Sequence, residues 1–367
     1  MLGEWGAVTV DDVSLKAIIR ALGTANPPLH TTQRQVFDFF GTHFNLDPEE
    51  EKLYRRLLLE SPIRGRYVGM DKLDDACETD PDRLNARFLK YARQTAAAAA
   101  AKAIEDAQVS PHEIGGLVVN TCTGYLCPGL TSYLAEDLGL GRDLRTLDIA
   151  GMGCGGALPN LEAAAGLLAL NGQRPVLSIA VEICSATLFM GTDPALVVSN
   201  SIFGDGAAAV VLQNGGRDTT GGLARVLDFA SGLYPQHREQ LHYRQEEGRL
   251  RNVLSIKVPK IGAKTASEVL TRLLDRHHLT HNAIQWWAVH AGGTAVLDQV
   301  GRDLGLPETA LRFSMEVFHN YGNMSSPSVL FALKHIIEQG RPRSGDLGVL
   351  LTFGAGFSAF AALVEFL

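Results

Sequence analysis

Along the chain, apolar residues gather in short β-branched runs separated by stretches with helical spacing. The runs IGGLVVNTC, LRTLDIA, PVLSIAVE, AAAVVLQ, WWAVHA and LGVLLTF are nearly continuous in apolar character, which predicts strands buried on both faces. Helix-like segments alternate with them, and this βαβ rhythm predicts a mostly parallel sheet covered by two layers of helix. Residues 85 to 107, LNARFLKYARQTAAAAAAKAIED, are rich in helix formers, and the alanine block predicts a helix packed on most sides.

The pattern recurs at long range. LAEDLGLGRDLRTLDIAGMGCGGALPNLEAA, from Leu134, aligns with VGRDLGLPETALRFSMEVFHNYGNMSSPSVLFAL, from Val300, so that Asp137-Leu138-Gly139-Leu140 meets Asp303-Leu304-Gly305-Leu306. After each match a strand, a glycine-containing turn and an apolar helix are expected. PVLSIAVE through FGDGAAAVVL likewise parallels LGVLLTFGAGFSAFAALVEF. An offset of about 166 residues is too long for a solenoid. It predicts one α/β fold present twice about a pseudo-twofold axis, with halves at 1–220 and 221–367. Two helix N-termini, after Gly153-Cys154 and after Asn323-Met324-Ser325-Ser326, then converge on a shared centre.

Composition narrows the function. The 367 residues carry a net charge of −7 with Lys and Arg scattered, which argues against a nucleic-acid partner. MLGEWGAVTVDDVSLK lacks the basic, apolar and small-residue order of a signal peptide, so a cytoplasmic location is expected. No run approaches the ~18 apolar residues of a membrane span. Five cysteines, an odd number with no CxxC spacing, predict reduced thiols and neither a disulfide frame nor a zinc site.

Within that frame three residues stand out. Cys154, among the four glycines of AGMGCGGALP, sits where a strand turns into a helix, and the helix dipole there is expected to lower its pKa. The competing reading is a small buried core residue. His290 ends an apolar strand and opens a Gly-Gly turn; it reads equally as a core histidine. Asn323 precedes a helix that it could simply cap. Taken together, Cys, His and Asn supply a nucleophile, a base or ion-pair partner, and an amide donor for an oxyanion. Hydrolases use similar sets, so the residues alone leave the reaction open.

The stretches GTANPP, SPIRGRYVGM, GMGCGGALPNLEAA, SNSIFGDGAAAVVL, HAGGTAVLDQV, YGNMSSPSVLFAL and GAGFSAF resemble the thiolase superfamily, and within it the type III polyketide synthases. The resemblance implies a homodimer with the five-layer αβαβα thiolase-like fold and a Cys154-His290-Asn323 triad. It implies transfer of a starter from acyl-CoA to Cys154, decarboxylation of malonyl-CoA, and repeated Claisen condensation followed by cyclisation. His290 as imidazolium would hold Cys154 as thiolate. No metal or redox cofactor is implied.

The same resemblance assigns Phe203 as a gatekeeper at the mouth of the cavity, and Cys122, Thr123, Cys184, Thr187 and Ser199 as cavity walls. Asn252 falls where a second gatekeeper aromatic is usual, which implies a more open or differently shaped cavity. Cys127 occupies the position that reaches across the dimer interface. Arg56, Gly292 and Gly293 are the implied coenzyme A contacts, with Glu60 where a second cation is usual. Small wall residues are similar to those of bacterial relatives that take long fatty acyl starters and yield alkylpyrones or alkylresorcinols. A carrier protein or fatty-acid synthase is the other source from which the starter could arrive. The alternatives are an initiating β-ketoacyl-ACP synthase, whose HQAN and GNTSA motifs differ from HAGGT and GNMSSPS here, and a non-catalytic thiolase-fold scaffold.

Overall fold

A computed structural model describes residues 17–170, 172–215 and 221–367. The N-terminal segment read above for a signal peptide lies wholly outside the described residues. The expected division at residues 220 and 221 abuts a second such segment, 216–220.

Among the described residues nine strands form one sheet, in the order Trp286–Val289, Leu347–Gly354, Ser358–Phe366, Ala224–Leu233, Ala17–Ala25, Gly206–Asn214, Val176–Glu182, Gly116–Thr121, Arg145–Ala150. All six strands expected from the apolar runs are present. Ala17–Ala25 and Ala224–Leu233 meet antiparallel at the centre, and each sequence half spreads outward from that seam. Three pairings are parallel and five antiparallel, so the expectation of a mostly parallel sheet is corrected. Leu347–Gly354 and Ser358–Phe366, for example, are joined by too few residues for a crossover and must pair antiparallel.

Alternate residues along the strands enter different cores. Val349, Leu351 and Phe353 pack with the helices Val258–Arg276 and Thr294–Leu304, whereas Leu350 faces the helices Ala157–Leu170 and Ser328–His335. Leu117 and Val119 meet the helix Pro81–Ala107 while Val118 turns to the same central pair. Five layers result: Pro81–Ala107, one half-sheet, the two central helices, the other half-sheet, and the outer pair. Burial on both faces explains why five of these strands are apolar without alternation; the sixth, Arg145–Ala150, was expected to be buried but lies at the sheet edge and is exposed. The alanine block allows close approach, and Ala92, Ala96, Ala99, Ala100 and Ala103 are fully enclosed.

The duplication is imperfect. LRFSMEVF, aligned with the strand LRTLDIA, forms the helix Arg312–Tyr321. Its buried residues Phe313, Ser314, Val317 and Phe318 recur with helical spacing, which overrides the alignment. His335 is half-buried against Tyr321. Pro48–Leu59, with Gln33–His43 packed against it, and the hairpin Leu241–Glu246/Arg249–Leu254 form a smaller cap around the helix Pro194–Ile202.

Candidate active site

Cys154 sits in a single turn, Gly153–Gly155, between the strand Arg145–Ala150 and the helix Ala157–Leu170. Gly153 has a φ of +56, which favours glycine. The turn rests on the end of Leu347–Gly354: the Thr352 hydroxyl donates to the Gly155 carbonyl at 3.2 Å, and a Cβ on Gly354 would strike the Cys154 and Gly155 backbone nitrogens. The strand therefore brings the C-terminal half against the cysteine turn.

His290 is placed by the same strand, its backbone N–H donating to the Leu351 carbonyl at 2.9 Å. The ring is buried, lies edge-on to Phe353 at 6.0 Å between centroids, and leaves Nδ1 without a hydrogen-bond partner. A Cβ at Gly292 would approach His290 Nε2 to 3.1 Å, so glycine there leaves the imidazole its room.

Asn323 does not cap its helix, which starts at Ser328 behind Pro327. Its Nδ2 donates to the Gly292 carbonyl at 3.2 Å and its Oδ1 accepts the Ser325 N–H at 2.8 Å. The Ser325 hydroxyl lies 3.6 Å from the Cys122 sulfur and donates to Glu182 at 3.5 Å, close enough to Cys154 to lower its pKa. The Asn323 loop is thus bonded to the turn after His290 and, through Ser325, lies beside the Cys154 sulfur, and the three segments converge.

The expected ionisation is corrected. Burial, the largest influence, pushes the Cys154 thiol up to about 12, the Ser325 hydrogen bond opposes this, and nearby Glu182 raises it further. Burial pulls His290 down to about 4. A short turn precedes the helix, and its dipole does not outweigh the loss of water around the sulfur. Both shifts favour the neutral thiol and neutral imidazole over the expected thiolate–imidazolium pair.

Two cavities border neighbours of this centre, Phe203 in one and Cys122 and Gly151 in the other. The first is lined by Phe203, Cys184, Thr187, Ser199 and Asn252, five of the expected residues, and continues into an apolar end of Val36, Phe39, Phe40, Met70, Leu188 and Leu196. Asn252 does not simply open space: buried, it accepts the Ser199 hydroxyl at 2.9 Å. Cys122 and Thr123 border a second cavity with Phe88, Tyr125, Gly151 and Arg249. Arg56 is exposed on Pro48–Leu59, behind the acidic Glu49, Glu50 and Glu51. Gly293, with a φ of +152, has open space around it at the start of Thr294–Leu304. Cys127 is exposed. No cluster of three His, Cys, Asp or Glu side chains suited to a metal occurs among the described residues.

Sequence reasoning missed Glu182. It ends a strand of seven buried residues and is itself fully enclosed. Its carboxylate accepts Ser326 at 2.8 Å, Thr123 at 2.9 Å, the Cys122 N–H at 3.0 Å and Thr121 at 3.2 Å. Burial raises its pKa and these donors oppose the rise. The signal was an acid closing an otherwise apolar run, since carboxylates are rarely buried unpaired. Tyr243 was also missed: its hydroxyl lies 3.4 Å from that of Thr187, and burial, then the nearby Cys184, raises its pKa.

Residues 28–273 match the family described as FAE1/type III polyketide synthase-like protein, and residues 227–366 match the C-terminal domain of chalcone and stilbene synthases. The chain is 32% identical over 356 residues to the 3,5-dihydroxyphenylacetyl-CoA synthase of Streptomyces toyocaensis, covering 95% of this chain and 89% of the relative. It is 31% identical over 349 residues to the 1,3,6,8-tetrahydroxynaphthalene synthase of Streptomyces peucetius subsp. caesius, covering 95% and 92%. The crystal structure of 1,3,6,8-tetrahydroxynaphthalene synthase from Streptomyces coelicolor A3(2) superposes with a TM-score of 0.87 at 25% identity, covering 95% of this chain and 99% of that one. PKS-I from the brown alga Ectocarpus siliculosus shares the fold, with a TM-score of 0.88 at 24% identity over 98% and 100% of the two chains. With a thiolase-like duplicated fold and matches that span its length, the chain belongs to the type III polyketide synthases and is a decarboxylating, Claisen-condensing acyltransferase.

Proposed function

We propose that Cys154 is the acyl carrier of the reaction, with His290 and Asn323 as its partners. The Cys154 sulfur attacks the starter thioester carbonyl as His290 takes its proton, and the proton passes to the departing coenzyme A sulfur. Malonyl-CoA then loses CO2. The electrons of the broken carbon–carbon bond move to the thioester oxygen as enolate charge, which His290 and the Asn323 amide stabilise by hydrogen bonding. The enolate carbon attacks the Cys154 thioester, and the thiolate leaves to accept the next chain. No metal or redox group enters these steps. The convergence of Asn323, Gly292, Ser325 and Cys154 carries this reading.

The starter proposed is a fatty acyl group, extended from malonyl-CoA and closed to a pyrone or resorcinol-type ring. The apolar end of the first cavity, formed by Val36, Phe39, Phe40, Met70, Leu188 and Leu196, supports this choice. Coenzyme A delivers it, with Arg56, Gly292 and Gly293 as contacts; a carrier protein is the other route. A homodimer is proposed across Arg145–Ala150, an exposed edge strand with Leu147 and, nearby, Tyr125 turned to solvent. No helix among the described residues is long and apolar enough to cross a membrane, and a cytoplasmic location is proposed.

The test is incubation of the pure chain with malonyl-CoA and acyl-CoA starters of increasing length, products read by mass. Long acyl starters are expected to outcompete acetyl-CoA. Products built from malonyl units alone, whatever starter is offered, would overturn the fatty acyl choice.

A further inference from the structure

Arg66 carries a charge into the interior, where Asp205 acts on it electrostatically but, among the described residues, no carboxylate forms an ion pair with it. It is 4% exposed, and its Nε has no hydrogen-bond partner. The nearest carboxylate, Asp205, is occupied by the Ser185 hydroxyl, the Ser185 N–H and the Gly69 N–H. A buried guanidinium is costly unless its donors are used. Here one Arg66 terminal nitrogen donates to two main-chain carbonyls, Asn200 at 2.8 Å and Phe203 at 2.6 Å.

Those carbonyls belong to the end of the helix Pro194–Ile202, where acceptors lack helical partners and a cation is favourably placed. Immediately beyond, Phe203 bridges to Asn323: the Asn323 N–H donates to Ile202 at 2.8 Å, and the Gly204 N–H donates to Asn323 at 3.0 Å. The Arg66 stem lies under both strands of this bridge. A Cβ on Gly322 would come within 3.0 Å of Arg66 Cδ, and one on Gly204 within 3.5 Å of Arg66 Cβ while colliding with the Tyr321 carbonyl. One side chain therefore sets the height of Phe203, which lines the first cavity, and of Asn323, the residue proposed to hold the enolate oxygen.

We infer that Arg66 is a positioning residue for decarboxylation and chain extension, acting through the Phe203–Asn323 bridge. This rests on the role proposed for Asn323. Transfer of the starter to Cys154 draws mainly on His290 and the cysteine turn, neither of which Arg66 touches.

The experiment measures two half-reactions in parallel: malonyl-CoA decarboxylation, as acetyl-CoA release, and starter acylation of Cys154, by intact-protein mass. For Arg66→Met, kcat for decarboxylation is expected to fall roughly 10- to 100-fold, as misplacement by about an ångström does. Cys154 acylation should stay within about threefold. Arg66→Lys keeps the charge but offers no planar fork, and should recover part of the loss. Should Arg66→Met fail to fold, Gly204→Ala disturbs the same bridge without removing a charge and is expected to give the same split. Equal loss of both half-reactions, or undiminished decarboxylation in Arg66→Met or Gly204→Ala, would overturn the inference. Asn323→Ala separates the two proposals. If it decarboxylates normally, the role of Asn323 fails and the inference with it. If it does not while the Arg66 and Gly204 variants do, the inference alone fails.

Discussion

The Ser326 hydroxyl donates to the buried carboxylate of Glu182 at 2.8 Å, tying the loop that carries Asn323 to the strand end beside Cys154. Thr123 and the Cys122 N–H reach the same carboxylate from the other half of the molecule. Glu182 is thus a clamp across the pseudo-twofold. Replacing it with Gln sets an NH2 group against several donors, and a loss of about 1–3 kcal/mol in urea unfolding is expected, the cost of leaving buried polar groups unsatisfied. The same variant removes a negative charge that raises the Cys154 pKa, so iodoacetamide should alkylate Cys154 faster at pH 8 than in the native protein.

The resting ionisation state has a direct pH signature. With the thiol at about 12, the reactive thiolate is a small fraction that grows tenfold per pH unit below that value. Alkylation of Cys154 in the free enzyme should therefore climb about tenfold per unit from pH 6 to 9. With His290 at about 4, no break from an imidazolium is expected in that range. A rate that is flat from pH 6 to 9 would mean a preformed thiolate–imidazolium pair.

Much of this site was legible in the sequence, for a physical reason. Cys154, His290 and Asn323 are polar or reactive residues at ends of apolar segments beside glycines, where a chain that needs no chemistry would place something bland. Glu182 had the same local signature, but its partners Thr123 and Ser326 lie 59 and 144 residues away, and only the fold reveals six donors meeting one carboxylate. Tyr243 lies on LHYRQE, whose polar alternation conceals a half-buried phenol. Thiol ionisation was misread because a helix start is visible in sequence, whereas total burial is a sum over distant segments. The mixed sheet escaped for a similar reason: apolar runs specify burial on two faces and say nothing of strand direction.

Thr187 lines the first cavity, and the half-buried Tyr243 of the hairpin stands behind it, its hydroxyl 3.4 Å from that of Thr187. Tyr243→Ala removes a ring near Cys184 and should shift products toward longer chains, read by mass from one starter. Tyr243→Phe, which keeps the volume, should leave chain length unchanged. If both variants shift it alike, the hydroxyl rather than the volume is at work.

Asn323→Ala should lower malonyl-CoA decarboxylation by roughly 100-fold or more, as loss of an oxyanion donor does, while starter acylation changes less. Equal loss of both half-reactions would contradict a role confined to the enolate.

The most direct measurement is peptide mapping after brief exposure to an acyl-CoA starter without malonyl-CoA. The acyl mass should sit on Cys154 alone, absent from Cys122 and Cys184 although both thiols are close by, and Cys154→Ala should carry none. Acyl groups on Cys122 or Cys184 in the native chain, or acylation that persists in Cys154→Ala, would contradict Cys154 as the acyl carrier.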